Sequence, residues 1–219
     1  MKVMERVGKM KNLLKLKWTL LLLGLITFGF QTPTWAATTF DLFGVNFPDQ
    51  VSASVIFAYD SGQIDLSLKN NSDYDARLTG FSFNVPDSVT GVSRFYGPSG
   101  WSESFDPDNI NTPGQFGKFD LVGLTGPNFN GGYPNDGIPP ASTYNFTIVL
   151  TGLGLDGLTE NSFLKLLSDP GGRPFIARFQ RVGHDGKGSD VAVVPIPATL
   201  LLFGLSLVGL LGLRWKFRK

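Results

Sequence analysis

Val51-Ser52-Ala53-Ser54-Val55-Ile56-Phe57-Ala58-Tyr59 runs into Asp60-Ser61-Gly62, and Gln63-Ile64-Asp65-Leu66-Ser67-Leu68-Lys69 follows. In the first run Val51, Val55, Phe57 and Tyr59 fall on one side, with Ser52 and Ser54 on the other. The third run resumes the alternation through Ile64, Leu66 and Leu68. Successive side chains of a strand point to opposite faces, so each run makes one apolar face and one polar face. The three residues between them are a turn carrying a glycine, and the whole is predicted to be a β-hairpin.

Working outward, the same signal recurs along the chain. Asn70–Asp75 is a polar turn, and Arg77–Val85 places Phe81, Phe83 and Val85 on one face until Pro86 ends it. Thr143–Thr151 alternates Tyr144, Phe146, Ile148 and Leu150 with Asn145, Thr147 and Val149. Phe40–Phe47, Val92–Tyr96, Phe116–Leu124, Phe175–Val182 and Val191–Val194 are further strand candidates. About eight to nine short strands separated by Gly, Asn, Asp and Pro predict an all-β fold, a β-sandwich. One helix is expected at Thr159–Leu167, with Thr159 as N-cap and Phe163, Leu166 and Leu167 on one face, before Asp169-Pro170-Gly171-Gly172 stops it. A helix so short needs tertiary support, and it should pack across an open end of the sandwich. Two longer loops are expected at Gly97–Gly114 and Thr125–Gly137, and no internal repeat is present.

The formal charge of +1 averages three unlike regions. Lys2, Arg6, Lys9, Lys11, Lys15 and Lys17 face a single acid, Glu5, in the first 36 residues, and Arg214, Lys216, Arg218 and Lys219 close the chain without one. Between these ends lie 9 of the 19 basic residues and 17 of the 18 acidic ones. An acidic body lacks the concentrated positive field that phosphate binding needs, so nucleic acid is not the expected partner. There is no cysteine, which excludes disulfides, thiolate metal sites and a cysteine nucleophile, and suits an oxidising compartment. A single histidine excludes a multi-histidine metal centre. The 27 glycines and 14 prolines imply many turns, and the central stretch is long enough for one domain with its own core.

The cations at the two ends flank apolar segments. Met1–Lys17 is basic, Trp18–Phe30 is apolar and Gln31–Ala36 is polar and ends in small residues, the three-part layout of a secretory signal peptide. Its 13 apolar residues are short of the roughly 20 needed to span a bilayer. Thr34 and Ala36 suit the third and first positions before a cut between Ala36 and Ala37, whereas a cut after Ala37 would present bulky Trp35. Met10 would serve equally as the start. At the other end Val194-Pro195-Ile196-Pro197-Ala198 leads into Thr199–Leu213, which has no charge. Pro195 and Pro197 place the start of a helix near Ala198 or Thr199. A transmembrane helix over 198–213 reaches across a bilayer if Arg214 and Lys216 snorkel, with Trp215 and Phe217 at the interface. The cations that follow hold that end in the cytoplasm. The expected organisation is a signal peptide at 1–36, an extracytoplasmic domain at 37–193 and a C-terminal segment at 194–219.

A proline-containing motif, a short apolar helix and a terminal basic cluster together resemble the PEP-CTERM sorting signal. Val194–Ala198, Thr199–Leu213 and Arg214–Lys219 carry the resemblance, with Ile196 where the usual Val-Pro-Glu-Pro has glutamate. The resemblance implies export from a Gram-negative cell that makes extracellular polysaccharide, and processing by a membrane-embedded exosortase that cuts near the motif. The family marks an address and implies no shared body fold or activity. Gly137-Ile138-Pro139-Pro140 leading into Tyr144–Leu150 also resembles bacterial surface modules of the cohesin-like kind, a likeness of arrangement that implies no partner.

The inventory for chemistry in the body is thin. His184 lies in Gly183-His184-Asp185-Gly186-Lys187-Gly188-Ser189-Asp190, and a general base there would need an orienting aspartate and a serine nucleophile. No Gly-x-Ser-x-Gly occurs, and a hairpin tip holds a base poorly, so an exposed turn histidine and no catalytic residue are expected. Calcium takes loop oxygens, and the candidates are Asp185 and Asp190, or Asp106 and Asp108 with Asn109. The same residues favour turns without any ion. The body has two glutamates, Glu103 and Glu160, and fifteen aspartates, too few signals to mark a hydrolytic carboxylate pair. Trp101, Tyr96 and Tyr133 lie in or beside loops, where aromatics stack on sugar rings or cap the core. The expected role is a non-enzymatic surface or matrix protein, membrane-anchored facing the periplasm and then at the cell surface, associated with extracellular polysaccharide in a biofilm. A carbohydrate- or calcium-binding module is the alternative, and a secreted hydrolase a third.

Overall fold

The computed structural model describes residues 37–195. The expected signal peptide, the residues Ile196, Pro197 and Ala198, the membrane helix and the basic tail lie outside the described residues. Among the described residues no helix is long and apolar enough to cross a membrane.

The fold is all-β. Ten strands follow in chain order: β1 (Ala37–Gly44), β2 (Ser52–Asp60), β3 (Gln63–Asn70), β4 (Arg77–Phe83), β5 (Val89–Tyr96), β6 (Ser102–Asn111), β7 (Lys118–Leu124), β8 (Thr143–Gly152), β9 (Phe175–Val182) and β10 (Gly188–Val193). Nine of them coincide with the strands expected from alternation. The addition is β6, which occupies the first expected loop.

All strands join one antiparallel sheet in the order β5-β8-β3-β2-β1-β10-β9-β4-β7-β6. The hairpin expected over Val51–Lys69 forms as β2 and β3, inside the first five strands of that order, with Tyr59 opposite Ile64 and Phe57 opposite Leu66. The sheet narrows between β1 and β10, where only Phe43↔Val193 and Gly44↔Ala192 pair. There it doubles back, because rings from the two halves meet: Phe57 of β2 lies 5.5 Å from Phe83 of β4, and Phe81 of β4 lies 5.1 Å from Phe146 of β8. Five strands, β5-β8-β3-β2-β1, thus form one leaf over the other five, β10-β9-β4-β7-β6, and the two share a core. Phe81, Phe83 and Phe175 stack within the second leaf at 5.8 to 6.4 Å.

The two leaves differ outside that core. The first leaf has one face on the core and one toward solvent, with Phe43 on β1, Ile56 on β2 and Tyr96 on β5 exposed. The second, apart from its edge strand β6, is buried on both faces. Phe119, Val122, Leu124, Ile176, Val191 and Val193 form a second apolar cluster with Phe116 and Phe129. Phe116 ends the 3₁₀ turn Gly114–Phe116, and Phe129 comes from the Thr125–Gly137 loop. The glycines of that loop permit the close approach: a Cβ on Gly132 would stand 2.8 Å from the Thr79 Cβ.

The helix α1 (Glu160–Leu164) is shorter than the expected Thr159–Leu167. Its start is as expected, with Thr159 as N-cap, and the Ser162 hydroxyl accepts the Thr159 N–H at 3.1 Å. Leu166 N–H bonds to Phe163 O at 3.0 Å, an i→i+3 turn that tightens the end and swings Leu167 outward to 57% exposure. Phe163 alone is fully buried, its ring 5.8 Å from Phe57 and 4.9 Å from Tyr59. The helix thus lies against β2.

Candidate functional site

The three aromatics singled out as sugar contacts separate in the structure. Trp101 is buried, its ring 4.8 Å from Phe146 and stacked 6.0 Å from Phe81. Its indole N–H donates to Asp136 O at 2.9 Å. It therefore closes the shared core, and no ring face is open to a ligand. Tyr96 and Tyr133 are more than half exposed, on β5 and in the Thr125–Gly137 loop. The structure brings no two of these three together as a stacking pair.

Of the calcium candidates, Asp190 is buried at 1% exposure and works as an anchor. It accepts the Asn46 and Phe47 N–H groups at 3.1 and 2.9 Å, the Asn46 amide at 3.0 Å and the Val191 N–H at 2.8 Å. These bonds tie the β1–β2 connection to β10. Gly44 makes the approach possible, since a Cβ there would stand 2.5 Å from Asp190 Oδ2. Asp185 sits instead in the exposed β9–β10 turn and accepts the Lys187 N–H at 3.2 Å, ordinary turn chemistry. His184 is exposed in that turn, its ring 5.0 Å from Tyr74. Beside Tyr74, Asp75 pairs with Arg77 at 2.7 Å and with Arg181 at 3.0 Å. The Arg77 hydrogen bond, aided by Arg181, holds the Asp75 carboxyl below the usual carboxylate range.

Asp106, Asp108 and Asn109 lie together on β6, in a bulge within the expected Gly97–Gly114 loop. Phe105 pairs with Leu121 and Ile110 with Phe119, so Asp106-Pro107-Asp108-Asn109 stands opposite the single residue Asp120. Asp120 fixes the bulge from β7: Oδ1 accepts the Asp108 N–H at 2.7 Å, and Oδ2 accepts the Val85 N–H at 2.9 Å. Asp108 is left with φ 55, a left-handed conformation that Asp tolerates better than most residues. Asn109 bonds back to Asp106 at 2.8 Å. Among the described residues, no group of three or more His, Cys, Asp or Glu is placed to hold a metal ion.

The bulge forms one wall of a cleft of ≈ 350 Å³. Its polar side is Asn84, Asp87, Asp108 and Asp120, and its apolar side includes Val89, Leu166 and Leu167. Neither Asn84 nor Leu167 carries a local sequence signal for this role, because the cleft joins the β4–β5 turn, the β6 bulge and the segment after α1. Glu103 is exposed on β6, and Glu160 is buried on α1, where it accepts the Tyr59 N–H at 3.3 Å. The two glutamates are therefore apart from the cleft. Comparison with protein families, curated proteins and solved structures finds no match for this chain.

Proposed function

We propose that this chain is an exported, non-enzymatic protein of the cell surface or extracellular matrix, sorted by its C-terminal segment and associated with extracellular polysaccharide. The observation that carries the proposal is the order of parts after the body: Val194–Ala198, an uncharged Thr199–Leu213, and four cations in the last six residues. Such an arrangement threads lipid and keeps its basic end in the cytoplasm. The basic, apolar and small-residue layout of the first 36 residues supplies the matching export signal. Consistent with this division, strand β10 ends at Val193, directly before the motif. On this reading the doubled sheet is a surface β-sandwich module, held first at the periplasmic side of the membrane and then released or re-attached by an exosortase-type enzyme.

A non-enzymatic role accords with the work done by the buried acids. Asp120 and Asp190 accept backbone N–H groups and hold loops, leaving neither free as a general acid or base. A chain stopped at Pro195 keeps every strand and tests the sorting proposal. It should appear in the periplasm or medium, while the full chain fractionates with membranes. Retention of the shortened chain on membranes, or a full-length body that external protease cannot reach in spheroplasts, refutes it.

A further inference from the structure

We propose that the cleft beside the β6 bulge binds a neutral, polyhydroxylated ligand, a short stretch of oligosaccharide. The inference rests on the cleft alone and stands apart from the sorting proposal.

The polar wall offers both halves of a hydrogen-bond partnership. Asn84 is only 7% exposed, and its Oδ1 is occupied by the Asp120 N–H at 3.2 Å. Its Nδ2 has no hydrogen-bond partner among the described residues, is not sealed from solvent, and belongs to a side chain that lines the cleft. In the free protein water in the cleft accepts from this amide, and a ligand oxygen can take that water's place. Around it stand acceptors: the exposed carboxylates of Asp87 and Asp108, and Asp120 behind them. A hydroxyl group both donates and accepts, so adjacent hydroxyls satisfy the amide and the carboxylates together. A cation carries only donors and cannot take the place of that water. An anion meets three carboxylates.

The apolar wall fits the same class of ligand. Leu167 is 57% exposed, and with Leu166 and Val89 it shares the lining of the cleft with the carboxylates. A sugar ring presents hydroxyls at its edge and C–H groups on its face, which matches a cleft with one wall of each kind. The volume of ≈ 350 Å³ lies at the lower end of the roughly 300–1,000 Å³ of small-molecule sites, enough for about one or two rings. Asp108 reaches this position through a four-residue bulge and a left-handed backbone, a device that re-aims a side chain at the edge of a sheet.

The test uses the full chain in a zwitterionic, sugar-free detergent, titrated calorimetrically with short neutral gluco-, galacto-, manno- and xylo-oligosaccharides. At least one series should bind saturably. Asp108→Asn should weaken that binding roughly tenfold by removing a charged acceptor. Leu167→Ala, at an exposed position where folding is insensitive, should weaken it at an unchanged thermal midpoint. Absence of saturable binding in all four series overturns the proposal. So does binding that Leu167→Ala leaves unchanged, or saturable binding of spermidine in place of the sugars, which would make the cleft a cation site.

Discussion

Tyr59 shows how one buried polar tip organises its surroundings. Its hydroxyl donates to Leu155 O at 2.7 Å and accepts the Gly62 N–H at 3.0 Å, joining the β2–β3 turn to the segment before α1. Burial pushes the phenol up from its ordinary value, and Asp156 and Asp60 add to this, against the pull of the Gly62 N–H. A raised folded-state value means the native state keeps its proton after the unfolded chain has lost it. Tyr59 therefore stabilises fully below about pH 10, and that contribution is lost as pH rises through the folded value. Urea midpoints measured between about pH 8 and 11 should fall for the wild type and fall less steeply for Tyr59→Phe. Parallel slopes would show that the phenol does not sense its burial. Residues of this kind are the least legible in sequence. Because Gly97–Gly114 reads as a loop, sequence leaves Trp101 open as a sugar contact or a cap on the core, and its partners Phe81 and Phe146 are distant along the chain and announce nothing locally. Asp190 resembled any turn aspartate until the backbone N–H groups of Asn46 and Phe47 came to it from the far end of the domain.

At the scale of elements, alternation finds a strand only when one face is buried. Strands of the first leaf such as β2 and β3 meet that condition, β4 and β7 are apolar runs buried on both faces, and β6 meets neither: it is an edge strand, mostly exposed, broken by Pro107 and rich in charge. Those features keep an edge from pairing with other chains and also hide it from a periodicity argument. The Thr125–Gly137 loop hides in a different way. Its glycines and asparagines read as solvent-exposed turn, but Phe129 is 2% exposed and covers the outer face of the second leaf. The loop is thus a wall of the second apolar cluster, and Phe129→Ala should cost about 3–5 kcal/mol in urea unfolding, as for other core phenylalanines. A loss below about 1 kcal/mol would mean that the loop leaves the cluster easily and the second leaf is stable without it. The cleft, too, belongs to this scale. Its Asp108 is legible in sequence as part of a polar cluster, whereas Asn84 and Leu167 enter only through the folding of separate segments into one place.

For the whole molecule, strand content was readable and strand order was not, since a two-residue period says which face is buried and never against what. β8 inserts between β3 and β5, and β9 between β10 and β4. The resulting sheet is continuous through only two residue pairs at β1–β10. The Val45 N–H to Val191 O bond and the Asp190 anchor extend that seam, but it stays narrow beside the aromatic layer that the leaves share. Trp101 closes that layer, its ring 6.0 Å from Phe81 of one leaf and 4.8 Å from Phe146 of the other. If that layer couples the leaves, neither can open without exposing both halves of the core, and the domain unfolds in one step. The remaining tryptophans, Trp18, Trp35 and Trp215, lie outside the described residues, and replacing them by phenylalanine leaves Trp101 as the single indole reporter. In urea, Trp101 emission and the far-ultraviolet strand signal should then change at the same midpoint with the same slope. Separation of the two curves, with the indole exposed while strand signal persists, would mean that the leaves part before they melt and that the narrow β1–β10 ladder acts as a hinge.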